Sequence, residues 1–270
     1  MSTVATLKES VAPTVRRLGL WRVARVSARV VEPYTPHHRK TVQFYAQFVR
    51  PGDLCFDIGA NLGHRTGIFR ELGARVVAVE PQASCLRYLR RRYGHDPHVT
   101  IVGAAVGDRE GTAELAVCDE EPELSTLSSH WSSQGPWAKE FIWARTERVT
   151  LTTLDALIAQ HGRPAFCKID VEGYERAVLA GLSRPLPMLS FEFSSALHAD
   201  AQACLERLTA LGPTSFNAAM GTSMELLSPA WGDVDALEER LFLIGNGAVG
   251  GDIYARSLPA SPNAYVAKAL

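Results

Sequence analysis

Five apolar runs in this chain end in acid: at Asp57, at Glu80, at Asp108, at Asp170 with Glu172, and at Glu192. Burial alone does not select carboxylates at such positions. In a doubly wound sheet, the carboxyl ends of the strands are where a ligand binds. The first run carries the most local context. Gly52–Phe56 reads as a short strand, Asp57-Ile58-Gly59-Ala60-Asn61-Leu62-Gly63 as a glycine turn, and His64–Leu72 as a helix closed by Gly73. Glycines let a ligand approach the backbone without meeting a Cβ, and a helix start offers free N–H groups. The next run, Ala74–Val79, delivers Glu80 twenty-one residues after Gly59. An acid at that spacing can accept both hydroxyls of a ribose.

The spacing of the loop narrows the ligand. A dinucleotide fingerprint requires G-x-G-x-x-G, whereas this loop is Gly59-x-x-x-Gly63 with Asn61 between. Asp57 adds a negative charge badly placed for a pyrophosphate and well placed for a cationic, amine-bearing ligand such as S-adenosylmethionine. On this reading Asp57, Gly59, Asn61, Gly63, His64 and Glu80 line the cofactor site. A purely structural glycine turn is the competing account of the loop. For Asp108, adenine recognition competes with a turn in Gly107-Asp108-Arg109-Glu110-Gly111.

A second motif lies at Phe166-Cys167-Lys168-Ile169-Asp170-Val171-Glu172-Gly173-Tyr174-Glu175, after Val149–Leu157 with its Thr153-Leu154-Asp155. The ordered set D-x-G-A-N-x-G, V-x-x-x-T-L-D and K-x-D-x-E-G-x-E resembles the FkbM family of S-adenosylmethionine-dependent methyltransferases. The resemblance covers about residues 50 to 256. It implies a seven-stranded, mostly parallel sheet whose closing strand is antiparallel. It also implies an O-methyltransferase acting on a hydroxyl of a sugar, glycan or secondary metabolite. An NAD-dependent oxidoreductase is disfavoured by the loop spacing. A methyltransferase-like binding or assembly module without catalysis is the alternative.

Methyl transfer to an alcohol requires an in-line nucleophile and a route for the hydroxyl proton. Asp170 and Glu172 are the expected catalytic acids, because Gly173 lets the chain turn so that both face the cleft. Lys168 is expected to pair with one of them. Glu192 and His198, at the end of the neighbouring strand, are further candidates. Asp170, Glu172 and Glu192 could share a hard cation such as Mg²⁺, although no dedicated metal spacing is present.

The elements needed to position these residues alternate. Beyond Glu80 the sequence predicts a helix at 83–92, strands at 99–106 and 112–118, and a strand leading into a helix at 149–157. It then predicts strands at 165–171 and 188–193, a helix at 199–211, and extended pieces at 215–219, 224–227 and 252–256. That alternation predicts a doubly wound α/β (Rossmann-like) sheet with helices on both faces. A methyltransferase domain is expected over 51–257, with an N-terminal helical arm at 1–50 and a tail at 258–270. The stretch 119–148 breaks the rhythm. Its Trp131, Trp137 and Trp143 either anchor an insertion on the core or form a lid over the acceptor.

A net charge of −1 over 270 residues gives no bulk attraction to nucleic acid. The five scattered cysteines never form C-x-x-C, which fits a reducing cytosol. No apolar run reaches the length of a membrane span, so stable membrane insertion is not expected. The basic arm reads as a helix packed on the domain, with a membrane-surface helix or a homodimer contact as alternatives. The expected partner is a small-molecule or carbohydrate acceptor.

Overall fold

A computed structural model describes residues 35–194, 197–243 and 250–259. The helix α1 (Pro36–Tyr45) is followed by β1 (Leu54–Ile58), α2 (His64–Glu71), β2 (Arg75–Val79), α3 (Ala83–Tyr93) and β3 (Val99–Val102). Next come β4 (Ala105–Val106), β5 (Gly111–Val117), a 3-10 turn at Pro122–Leu124, α4 (Ser129–Gln134), β6 (Arg145–Thr152) and α5 (Leu154–His161). The remaining elements are β7 (Phe166–Ile169), α6 (Glu175–Ala180), β8 (Met188–Ser194), α7 (His198–Leu211), β9 (Thr214–Met220), α8 (Val234–Leu243) and β10 (Gly250–Ser257).

Seven strands form one sheet in the order β3-β2-β1-β7-β8-β10-β9. The closing strand β10 runs antiparallel to both β8 and β9, while the pairs β3–β2, β2–β1, β1–β7 and β7–β8 are parallel. The strand order reverses between β1 and β7, and that reversal opens the crevice in which doubly wound folds bind ligands. Central strands are buried on both sides, so they read as continuous apolar runs rather than alternating ones. Side chains still alternate between two cores. Phe56, Ile169 and Phe191 pack with Leu154, Leu179 and Leu205 on one face. Cys55, Phe166 and Tyr254 pack with Tyr45, Phe69 and Leu89 on the other.

A compact unit begins at Val42, so the last residues of the expected arm lie within the core of the domain. Tyr45 is fully buried and its ring meets those of Phe69 and Phe166 edge-on. Most of the basic arm, residues 1–34, lies outside the described residues, as do 260–270 of the tail. Among the described residues no helix is long and apolar enough to cross a membrane.

Three features depart from the sequence expectations. The apolar run 99–106 divides: β3 joins the main sheet, while β4 pairs parallel to β6 in a separate three-stranded sheet, β4-β6-β5. An apolar run shows burial but not which strand it pairs with. Residues 224–227 form no strand, because Met224 takes a left-handed φ of 49° and only Leu227 N–H reaches the edge, at Ala218 O. The helix α8 was not expected at all. The stretch 119–148 connects the antiparallel neighbours β5 and β6, and its last residues already belong to β6.

The aromatic cluster on β7 generates a stability prediction. Phe166 is 0% exposed and touches the rings of Tyr45, Phe48 and Phe69. Phe166→Ala is expected to cost about 3–5 kcal/mol in urea unfolding. Ile142→Ala, at a side chain 74% exposed, is expected to stay within about 0.5 kcal/mol of the parent.

Candidate functional site

The glycine loop is built from the strand ends upward. Asp57 lies next to the end of β1, opposite Lys168 of β7, and is 2% exposed. Its Oδ2 accepts the Thr66 hydroxyl of α2 at 2.6 Å, tying strand to helix. Burial pushes this carboxyl up, and the Thr66 bond and Lys168 hold it partly down. Asp57 therefore supports the loop from beneath.

Gly59, at φ 80°, sits where β1 and β7 part. A Cβ there would lie 1.8 Å from the carbonyl oxygen of Asp170. The close approach that demands glycine is thus made by the chain's own backbone, where the sequence pointed to a ligand. At the far end of the loop, the Gly63 carbonyl accepts the Tyr93 hydroxyl at 2.8 Å. Asn61 turns through φ 50°, and its N–H donates to Glu80 Oε2 at 2.8 Å.

Glu80 directly follows β2 and is 6% exposed. Its Oε1 accepts Gln82 N–H at 2.8 Å, so each oxygen holds one backbone donor and keeps lone-pair capacity for another. Burial pushes Glu80 up to about 7, against the two N–H groups of Gln82 and Asn61. Each oxygen has room for one further donor, and a ribose diol supplies two. The residues present therefore fit an adenosyl ligand. His64 opens α2 and is exposed, its Nδ1 3.5 Å from Arg65 Nη1.

Acids converge on the other side of the switch. Asp170, Glu172 and Glu192 each present an oxygen within 4.8 Å of the other two. Gly173 follows Glu172 at φ 84°, Glu172 itself takes φ 53°, and this turn brings both motif acids to one side. Below them Lys168, 1% exposed, places its ammonium 3.1 Å from Asp170 Oδ2 and 2.8 Å from Asp252 Oδ1. Burial works against the charge of Asp170, yet Lys168 and Arg65 bring its carboxyl below the usual range. Glu172 moves well above that range through burial and the charges of Asp170 and Glu175. Glu192 also rises well above it, through burial and then Glu172 and Asp170, and its Oε2 is buried without a hydrogen-bond partner. Glu175, the last motif acid, accepts Val171 N–H at 3.0 Å and braces the turn.

The connection 119–148 closes over this turn. Trp131, 4% exposed, packs on Gly173, where an added Cβ would meet its ring at 2.8 Å. The Thr126 hydroxyl donates to Glu172 O at 2.7 Å. Trp143 donates to Leu124 O within the connection, and Trp137 is 42% exposed. One tryptophan thus anchors the segment at the acids. Glu192 and Trp131 line a small recess that shares Gly173, Leu197 and Asp200 with an outer cleft of about 560 Å³.

His198, the first residue of α7, borders that outer cleft together with Asp108 and Tyr174. Asp108 corrects the count of five strand ends on one sheet. It follows β4 of the small sheet, is paired with Arg109 at 3.1 Å, and lines the outer cleft with His198. Sequence reasoning missed Asp252 as a member of the constellation, whereas Trp131 was named there as an anchor or part of a lid. An acid inside the otherwise apolar run 252–255 was the available signal for Asp252.

The chain matches the model of the "Methyltransferase FkbM domain" over residues 57–210. No curated protein sequence matches it. Among solved structures, a precorrin-6Y C5,15-methyltransferase from Geobacter metallireducens aligns at 13% identity over 84% of this chain and 92% of its own, with a TM-score of 0.43. A TehB-like SAM-dependent methyltransferase from Corynebacterium glutamicum aligns at 12% identity over 91% and 100%, with a TM-score of 0.44. A SAM-dependent O-methyltransferase from Thermotoga maritima aligns at 12% identity over 83% and 67%, with a TM-score of 0.38.

Two predictions follow from the loop. Ribose hydroxyls favour ionised Glu80, so below its own pKa of about 7 the carboxyl must lose a proton when S-adenosylmethionine binds. Affinity is expected to weaken as pH falls below 7. Calorimetry in buffers of different ionisation enthalpy at pH 6 should register proton release, which Glu80→Ala abolishes along with about 2–3 kcal/mol of binding. Proton-neutral binding at pH 6 would remove the ribose assignment. Gly59→Ala should lower stability by about 1–3 kcal/mol through backbone strain alone, before the collision with Asp170 O. An unchanged unfolding midpoint would contradict that packing.

Proposed function

The chain belongs to the FkbM methyltransferase family, with S-adenosylmethionine as its methyl donor, and from that premise we propose O-methylation of a hydroxyl on a sugar, glycan or secondary metabolite. The observation that carries this reading is the convergence of Asp170, Glu172 and Glu192 at the carboxyl end of the sheet. Alcohol acceptors differ from more nucleophilic ones in needing a base for the departing proton. The three acids are held at different ionisations, which divides their work. Lys168 keeps Asp170 charged, so it is a poor proton acceptor and a good electrostatic anchor. Glu172 and Glu192, both raised, are the stronger bases of the three when ionised.

The donor supplies an electrophilic methyl carbon on a sulfonium. The acceptor oxygen forms the new C–O bond as the S–CH₃ bond breaks, and its proton passes to a glutamate carboxylate. Glu192 is the preferred acceptor of that proton, because its buried Oε2 has no other partner. The outer cleft, with Asp108, Tyr174 and His198 on its rim, has the capacity of a small-molecule site and would hold the body of the acceptor. Trp131 would exclude water from the recess behind it.

The same three oxygens favour a second reading, in which a hard cation such as Mg²⁺ binds them and lowers the pKa of the acceptor hydroxyl. Activity would then collapse in EDTA and return with Mg²⁺ or Mn²⁺. Under the base reading EDTA is harmless. Glu192→Gln or Glu172→Gln lowers kcat by about 10²–10⁴ while donor affinity is kept. Mass spectrometry of labelled products from sugar and metabolite libraries identifies the acceptor. Full activity of both amide variants in EDTA, or methylation confined to nitrogen or carbon acceptors, would overturn the proposal.

A further inference from the structure

The methionine end of the donor is a zwitterion, and a carboxylate entering a crevice rich in acids needs a cation of its own. Buried or half-buried cations elsewhere in the fold are already engaged: Lys168 with Asp170 and Asp252, and Arg70 with Asp96. Among the described residues Arg65 has no such carboxylate partner. It is the second residue of α2, two positions past the loop, and half-buried. Among the described residues no carboxylate lies within ion-pairing distance of it, and its side-chain contact is His64 Nδ1 at 3.5 Å.

The guanidinium is nonetheless held in place. It lies over the Tyr45 ring at 5.4 Å, and Tyr45 is fixed at 0% exposure in the core. Burial works against its charge, while Tyr45, Asp252, Tyr254 and Asp170 around it keep the charge in place. Tyr254, like Tyr45, is 0% exposed beside it. The start of α2 beside it is also open, since its N-cap Gly63 contributes no side-chain acceptor. An uncapped helix N-terminus, and a guanidinium with no carboxylate at ion-pairing distance among the described residues, both favour an anion, and a guanidinium suits a planar carboxylate.

We propose that Arg65 binds the α-carboxylate of S-adenosylmethionine, opposite Asp170, whose 37% exposed side chain faces the donor's ammonium. The proposal rests on the reading that the donor lies along the Gly59–Gly63 loop. A cation from α2 and an anion from β7, one on each side of the strand-order reversal, form a charge pair complementary to a free amino acid group. They also select against a neutral thioether nucleoside that lacks the amino acid end.

Calorimetric titration with S-adenosylmethionine and with its decarboxylated analogue tests this in the full chain. Wild type should bind the carboxylate-bearing donor more tightly. Arg65→Met should weaken that donor about 10- to 100-fold and leave the decarboxylated analogue unchanged, and Arg65→Lys should restore part of the difference. Equal loss for both ligands would make Arg65 a packing residue and overturn the proposal, as would no loss for either. Thermal unfolding of Arg65→Met, read alongside, separates misfolding from lost recognition, and Arg65→Lys carries the test if Met does not fold. The loop reading has its own control: undiminished donor affinity in Glu80→Ala would remove the donor from the loop, whatever Arg65 does.

Discussion

The ammonium of Lys168 is the charge around which the site is organised. It is 1% exposed on a central strand, and a lone buried ammonium would cost several kcal/mol. Two carboxylates offset that cost, Asp170 on its own strand and Asp252 on β10, which lies beyond β8. The arrangement needs the antiparallel insertion of β10 between β8 and β9, because only that register sets Asp252 opposite Glu192. Burial first, and then the charges of neighbouring acids such as the ionised Asp170, push Glu172 and Glu192 toward protonation. A fixed positive charge beneath the crevice thus sets Asp170 apart from the two glutamates beside it.

Backbone packing at the strand reversal makes the same junction rigid. Gly59 leaves β1 against the carbonyl of Asp170, so the glycine loop and the acid turn press directly on one another. On the second side Gly173 admits Trp131, and the Glu172 carbonyl is held by Thr126. Any movement of the connection between β5 and β6 is therefore transmitted to the turn that carries Glu172. Closing that connection over an acceptor would exclude water from the acids in the same step.

The sequence made the local parts of this site legible. The loop from Asp57 to Gly63, the helix after it and Glu80 depend on neighbours within about twenty residues, and glycine spacing plus an apolar run sufficed. Asp170, Glu172 and Gly173 were readable as a turn for the same reason. The pairing of Lys168 with Asp252 spans 84 residues and depends on where an antiparallel strand inserts, which no periodicity reveals. Asp108 was misplaced because burial pattern does not distinguish a strand of the main sheet from one in the small sheet. Gly59 was singled out for the approach of a ligand, whereas the atom that demands a glycine belongs to Asp170, more than a hundred residues away.

The division of charge among the three acids is tested most directly by carbon-13 NMR titration of the Asp170, Glu172 and Glu192 carboxyls, in the parent and in Lys168→Met. In the parent, Asp170 should titrate below the ordinary carboxylate range and both glutamates above it. In Lys168→Met, Asp170 should rise. Three ordinary titrations in the parent, or an Asp170 carboxyl indifferent to loss of the ammonium, would contradict the account.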